Sequence, residues 1–158
     1  MEPTLILNWR RLTPRVTTSG QPSEAELAEL KAMGVTRIVN LGPHHNKGAL
    51  EDEAGTVQRL GMVYNYIPVE FDTPTDADFA RFKAVMEAHA DEMIHVHCIY
   101  NARVSAFFFR YAKEWDDLSV AAASNNMESI WRPGDDWADF TGLKIAKGQP
   151  NRYKGEDY

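Results

Sequence analysis

The chain has 158 residues, 44% of them apolar and 25% charged, with a formal net charge of −6. This length suits one domain around one core, and seven Phe, six Tyr and four Trp spread along it argue against disorder. The negative charge argues against nucleic acid and anionic membrane as partners.

The only cysteine is Cys98, so no intrachain disulfide forms and a structural zinc site would lack thiolates. A reducing compartment fits this usage. Leu5 to Leu7 is too short for a signal-peptide core, and no apolar run reaches the ~18 residues that a membrane span needs. The expectation is a soluble cytoplasmic protein without a cofactor.

Ser23 and Glu26 have capping-box spacing, Leu27, Leu30 and Met33 follow at helical intervals, and Gly34 supplies a stop. A helix is predicted over 24–33. Thr36 to Leu41 reads as a buried strand, and Gly42 to Asn46 as a loop. A second helix is predicted over 50–60 and a strand over 63–69. Thr75 caps a third helix with Phe79, Phe82, Met86 and Ala90 along one face. Met93 to His97 is another strand, Cys98 to Arg103 a turn, and Ser105 to Trp115 an unusually apolar helix. Two more helices are predicted over 119–130 and 136–146. The polar segment 147–158 reads as a frayed tail, outside a single domain spanning 1–146. Strands that alternate with helices predict an α/β fold with a mainly parallel sheet of four or five strands flanked by helices. The strand at 93–97 is expected to be central, with any ligand beyond its carboxyl end.

That end carries His95-Val96-His97-Cys98-Ile99-Tyr100-Asn101-Ala102-Arg103-Val104-Ser105. A buried strand feeds a cysteine, a short loop and an arginine, and a helix begins at once. Successive loop N–H groups can converge into a nest, and the helix N-terminus adds its dipole. Both effects, with Arg103, favour a thiolate at Cys98, and a guanidinium grips two phosphoryl oxygens in a fork. The loop residues Ile99, Tyr100, Asn101 and Ala102 are the expected anion-binding segment. Tyr100 either lines the mouth of the site or covers it. Asn101 supplies the positive φ that a loop without glycine needs. His95, on the same strand face as His97, reads as structural.

This segment resembles the signature loop of protein tyrosine and dual-specificity phosphatases. It departs from it in one respect, with four residues between Cys98 and Arg103 where that family has five. The shorter spacing, together with Ser19-Gly20-Gln21-Pro22, resembles a bacterial subgroup, the phosphatase-like domain also found fused to β-lactamase-like sulfur-metabolism proteins. Ile38-Val39-Asn40-Leu41, Tyr66-Ile67-Pro68-Val69 and Trp131-Arg132-Pro133 with Trp137 and Phe140 extend the likeness over residues 6–140. The resemblance implies a fold of the phosphotyrosine phosphatase II type and hydrolysis of phosphate monoesters through a phosphocysteine at Cys98. It further implies that Arg103 and the loop amides bind the phosphoryl group, that His97 orients the loop, and that Ser105 hydrogen-bonds the leaving thiolate. The general acid would be an aspartate on the loop after Val69. Asp72 is the first choice and Glu70 the second; Asp76 is better explained as a first-turn helix carboxylate. Three solvated carboxylates with no catalytic role are the alternative.

The implied substrate is a phosphorylated protein or small molecule, with phosphate or sulfate as a bound anion. Two other functions compete: a rhodanese-like sulfurtransferase, which also uses a six-residue Cys-to-Arg loop, and a non-catalytic anion-binding module. His44, His45, Glu51 and Asp52 do not have convincing metal-ligand spacing; the loop at 42–47 is expected at the rim of the site instead. The tryptophans read as packing anchors.

Overall fold

The computed structural model describes residues 2–154. In chain order the elements are β1 (Arg10–Arg11), β2 (Val16–Ser19), α1 (Glu24–Met33), β3 (Arg37–Asn40), α2 (Glu53–Arg59), β4 (Val63–Tyr66), α3 (Asp76–Ala88), β5 (Ile94–His97), α4 (Ala102–Tyr111), α5 (Val120–Glu128), β6 (Trp131–Arg132), α6 (Asp135–Thr141) and β7 (Arg152–Tyr153). The main sheet has the order β1-β2-β5-β3-β4. All its pairings are parallel except β1 with β2, and β5 is central, as expected.

Alternation along each strand sends successive side chains to opposite faces. Ile94 and Val96 join the larger core, which also takes Phe79, Phe82 and Met86 of α3 and Val104, Phe107 and Phe108 of α4. The smaller core packs Leu27 and Leu30 of α1 and Val57 of α2 against Ile38 of β3. His95 and His97 alternate with Ile94 and Val96, so they face α1 and α2, whereas Cys98 returns to the larger core. Phe82, Phe107 and Phe108 meet edge to face at 5.4 and 5.1 Å. Truncating one such buried ring costs about 3–5 kcal/mol.

The local signals formed the expected helices. Ser23 and Glu26 make both halves of a capping box, and Gly34 ends α1 at φ 114°. Thr75 and Asp78 do the same for α3, and His89 stands at its C-terminal cap.

Several elements differ from the sequence reading. Val16-Thr17-Thr18-Ser19 is a strand, the second neighbour of β5; its β-branched run carried the signal. β4 ends at Tyr66, because Pro68 has no N–H; Ile67 and Val69 still donate to Asn40 and Leu41 at 2.9 Å. Helix α4 begins at Ala102 rather than Ser105, so Arg103 lies in its first turn. Gly142, at φ 77°, ends α6 at Thr141. The segment from Lys147 is not a free tail as far as Lys154: β7 pairs antiparallel with β6, and the Tyr153 ring stacks on Trp131 at 5.9 Å. The remainder of that expectation, residues 155–158, lies outside the described residues. Among the described residues no helix is long and apolar enough to cross a membrane.

Candidate active site

The loop from Cys98 to Arg103 joins β5 to α4. Asn101 closes it at φ 75° and ψ 3°, the left-handed conformation that turns the chain into the helix. Each loop carbonyl has a partner behind the loop. The Cys98 oxygen accepts from His97 Nδ1 at 2.9 Å, Ile99 from the Gln21 N–H at 3.0 Å, Tyr100 from Asn8 Nδ2 at 2.8 Å, and Asn101 from the Ser105 N–H at 3.0 Å. Among the described residues, the N–H groups from Ile99 to Val104 donate to no protein acceptor. Engaged carbonyls and free amides are the features of a nest, a backbone arrangement able to hold an anion.

This geometry accounts for the Ser19-Gly20-Gln21-Pro22 run. A methyl group on Gly20 would stand 2.6 Å from the Ile99 carbonyl oxygen, so only glycine fits there. Ser19 lends its carbonyl to the Cys98 N–H at 3.4 Å. Gln21 Nε2 donates to Glu53 at 2.7 Å. Glu53 in turn lies 2.5 Å from Nε2 of His97, and both side chains are fully buried. Nδ1 of His97 faces a carbonyl and therefore carries a hydrogen. Burial pushes the Glu53 carboxyl up, but the His97 charge and the hydrogen bonds from His97 and Gln21 outweigh it, and the net direction is down. Glu53 is thus a carboxylate, and a carboxylate oxygen accepts, so Nε2 of His97 donates to it. The ring of His97 is thus pinned between the Glu53 carboxyl and the Cys98 carbonyl, directly behind the loop.

His95 is structural. Its ring lies between Thr17 Oγ1 at 2.8 Å and Ser19 Oγ at 2.7 Å. Ser19 Oγ gives its own hydrogen to the Gly20 carbonyl at 2.6 Å, so it accepts from His95 Nε2, and Thr17 donates to Nδ1. Burial, then the neighbouring His97 charge, hold His95 well below the ordinary histidine value.

Arg103 is buried in the wall of the site. Its Nη1 donates to Asn46 Oδ1 and the Val69 carbonyl, both at 2.9 Å. Its Nε and Nη2 edge makes no hydrogen bond among the described residues and remains for an anion. The loop carrying Asn46 thus borders the site, as expected. His44 stacks on Tyr66 at 3.8 Å and bonds the Tyr64 hydroxyl at 2.7 Å, while His45 pairs with Glu70 at 2.8 Å. The two imidazoles are engaged separately.

A cleft of about 200 Å³ opens over the loop, lined by Phe71, Cys98, Ile99, Tyr100, Ala102, Arg103 and Tyr153. Asn101 does not line it; its Nδ2 turns back to the Asn8 carbonyl at 2.9 Å and Thr18 Oγ1 at 3.1 Å. Asp72 is not in it either. Trp137 Nε1 donates to the Phe71 carbonyl at 2.6 Å and fixes that loop. The Phe71 ring then lies 5.7 Å from the Arg103 guanidinium, and the next residue, Asp72, is exposed. Asp72 lines a separate depression with Asp135, Asp136 and Asn151. Glu70 is held by His45, and Asp76 by Arg110 at 2.9 Å. Ser105 does not supply its hydrogen to Cys98. Its hydroxyl donates to the Ala102 carbonyl at 2.8 Å, one helical turn back, and accepts from Trp131 Nε1 at 2.9 Å. A hydroxyl has a single hydrogen to give. Glu53, Gln21, Asn46, Phe71 and Tyr153 are the site residues whose roles sequence reasoning missed.

No family model matches the chain. A β-lactamase hydrolase-like protein of Agrobacterium fabrum is 34% identical over 94 residues, 56% of this chain. The chain spans 21% of that relative's length. The core catalytic domain of the PP-IP phosphatase SIW14 from S. cerevisiae shares the fold, with a TM-score of 0.62 at 12% identity over 78% of this chain and 75% of that one. A "putative phosphatase (DUF442)" from Shewanella putrefaciens CN-32 has a TM-score of 0.79 at 30% identity. That match covers 88% of this chain and 91% of the other, and the chain therefore belongs to the DUF442 family.

Proposed function

We propose that the protein is a cysteine-dependent phosphatase that hydrolyses phosphate monoesters in a reducing, cytoplasmic compartment. The observation that carries this reading is the hydrogen bonding of the Cys98 loop, with every carbonyl from Cys98 to Asn101 engaged and the N–H groups from Ile99 to Val104 left without a protein acceptor among the described residues. A dianionic phosphoryl group satisfies those amides and the open edge of Arg103, and places phosphorus beside Sγ.

In the first step the Cys98 thiolate attacks phosphorus, an S–P bond forms, and the ester oxygen leaves. In the second, water attacks the phosphocysteine, the S–P bond breaks, and inorganic phosphate departs. The loop amides and Arg103 stabilise the equatorial oxygens in both transition states. The ring of His97 fixes the Cys98 carbonyl, and the Glu53 carboxylate and Gln21 hold that ring. The substrate is a phosphorylated small molecule or protein side chain.

The test is turnover of nitrophenyl phosphate by the wild type and by Cys98→Ser, with phosphate binding measured by calorimetry. Cys98→Ser is expected to lose turnover and keep binding, because the nest is backbone. Equal rates in the two proteins would overturn the reading. Thiosulfate:cyanide transfer without ester hydrolysis would replace it with the sulfurtransferase.

A further inference from the structure

We propose that Tyr153, brought to the cleft by the last strand, is the proton donor and acceptor of the reaction. This rests on the phosphatase reading above and deepens it.

A phosphate ester with a poor leaving group needs a proton as its P–O bond breaks. Among the described residues, no carboxylate lines the cleft. Asp72 faces a separate depression, Glu70 is paired with His45, and Asp76 with Arg110. What the lining does hold is two phenols, Tyr100 and Tyr153. Tyr153 is the better placed of the two. Its ring is stacked on Trp131, which is anchored through Nε1 to Ser105 in α4, and Tyr100 meets it edge to face at 5.5 Å. β7 fixes its backbone against β6. Its phenol senses the charges of both Arg103 and Cys98, the two groups that hold the phosphoryl group. Burial, then Tyr100, raise it above the ordinary tyrosine value, with Arg103 opposing. At neutral pH it is therefore a neutral phenol with a hydrogen to give.

In the first step the S–P bond forms, the P–O bond breaks, and the leaving oxygen takes the Tyr153 hydrogen. Tyr153 is left as a phenolate beside the Arg103 guanidinium. In the second step a water oxygen attacks phosphorus, its proton passes to the phenolate, and the S–P bond breaks to return the Cys98 thiolate. Ester and water have become alcohol and phosphate, and Tyr153 is a phenol again.

The experiment compares phenyl phosphate with nitrophenyl phosphate in the wild type, Tyr153→Phe and Asp72→Asn. Tyr153→Phe keeps the ring and its stacking, and retained phosphate affinity verifies the nest. On phenyl phosphate its kcat/KM is expected to fall by about 10²–10⁴-fold, the usual contribution of a positioned acid. On nitrophenyl phosphate, whose leaving group needs little protonation, kcat/KM is expected to stay near the wild-type value. A rapid burst of nitrophenolate followed by slow turnover is expected as well, with phosphocysteine accumulating in the mass spectrum. Asp72→Asn is expected to treat both substrates as the wild type does. A Tyr153→Phe protein that matches the wild type on both substrates, or an Asp72→Asn protein that alone shows the leaving-group dependence, overturns the proposal and leaves the phosphatase reading standing. A wild type whose nitrophenyl phosphate hydrolysis does not depend on Cys98 sinks both.

Discussion

Nε2 of His97 lies 2.5 Å from a carboxylate oxygen of Glu53, with neither side chain open to solvent. Replacing Glu53 with Gln removes the carboxyl that faces the buried ring. Removing one partner of a buried pair typically costs about 3–5 kcal/mol, and Glu53→Gln is expected to lose stability on that scale in urea unfolding at neutral pH. The loss depends on pH in a defined direction. The native carboxyl is held below its ordinary 4.5, so its contribution is fully present above that value and fades as pH falls through the lower native one. The gap between wild type and Glu53→Gln should therefore narrow in acid. A gap that stays constant or widens would contradict the lowered Glu53 carboxyl.

Gly20→Ala tests the cradle from behind. The added methyl meets the Ile99 carbonyl oxygen at 2.6 Å, and backbone on both sides leaves the loop as the part that must move. A displacement of a fraction of an ångström in a reacting group costs on the order of ten- to a hundredfold. The kcat/KM for nitrophenyl phosphate is expected to fall by that factor, and an unchanged value would show that the loop tolerates the shift.

Arg103→Lys should be nearly as damaging as Arg103→Ala. Nη1 of Arg103 is tied to Asn46 and Val69 while the adjacent edge is open, a two-sided role that a point charge on a flexible stem does not reproduce. Phosphate affinity and kcat/KM read the loss. Near-normal values in the lysine variant would mean that the amides alone hold the anion.

His95 gives a second pH signature. Its native value lies well below the ordinary 6.5, so the unfolded chain binds the proton more readily. The stability that neutral His95 contributes is fully present above 6.5 and is lost as pH falls below it. The unfolding midpoint should drop from about pH 7.5 to about pH 5. His95→Asn should be less stable at the upper value and show a shallower slope. A parallel slope would assign the pH dependence to other groups.

The parts of the molecule that were legible in the sequence are those whose signals are local. Ser23, Glu26 and Gly34 mark both ends of α1 within its own residues, and Cys98, Asn101 and Arg103 announce a loop by type and order. The illegible parts depend on distant packing. Glu53 stands beside Glu51 and Asp52, with nothing in the sequence to separate them; it is selected because strand alternation turns His97 toward α2. Phe71 and Asp72 are neighbours in a loop, and which one enters the cleft is settled by Trp137, 66 positions from Phe71. Tyr153 sits in a polar stretch whose composition reads as a tail, and its ring finds partners only in residues distant along the chain, Trp131 on β6 and Tyr100 of the loop. Ser105 keeps the right distance from Cys98 along the chain, but an α4 that starts three residues early commits its hydroxyl to the helix.

The long-range hydrogen bonds that hold the loop have a consequence for biogenesis. Tyr100 is held by Asn8 across 92 positions, Asn101 by Asn8 and Thr18 across 93 and 83, and His97 by Glu53 across 44. Contacts of such separation cost the most chain entropy to close and form late in folding. The Cys98 loop is therefore expected among the last features to mature. A nascent chain, a proteolytic fragment or a partly unfolded molecule carries Cys98 but not the cradle around it, so the loop takes its shape only in the whole domain.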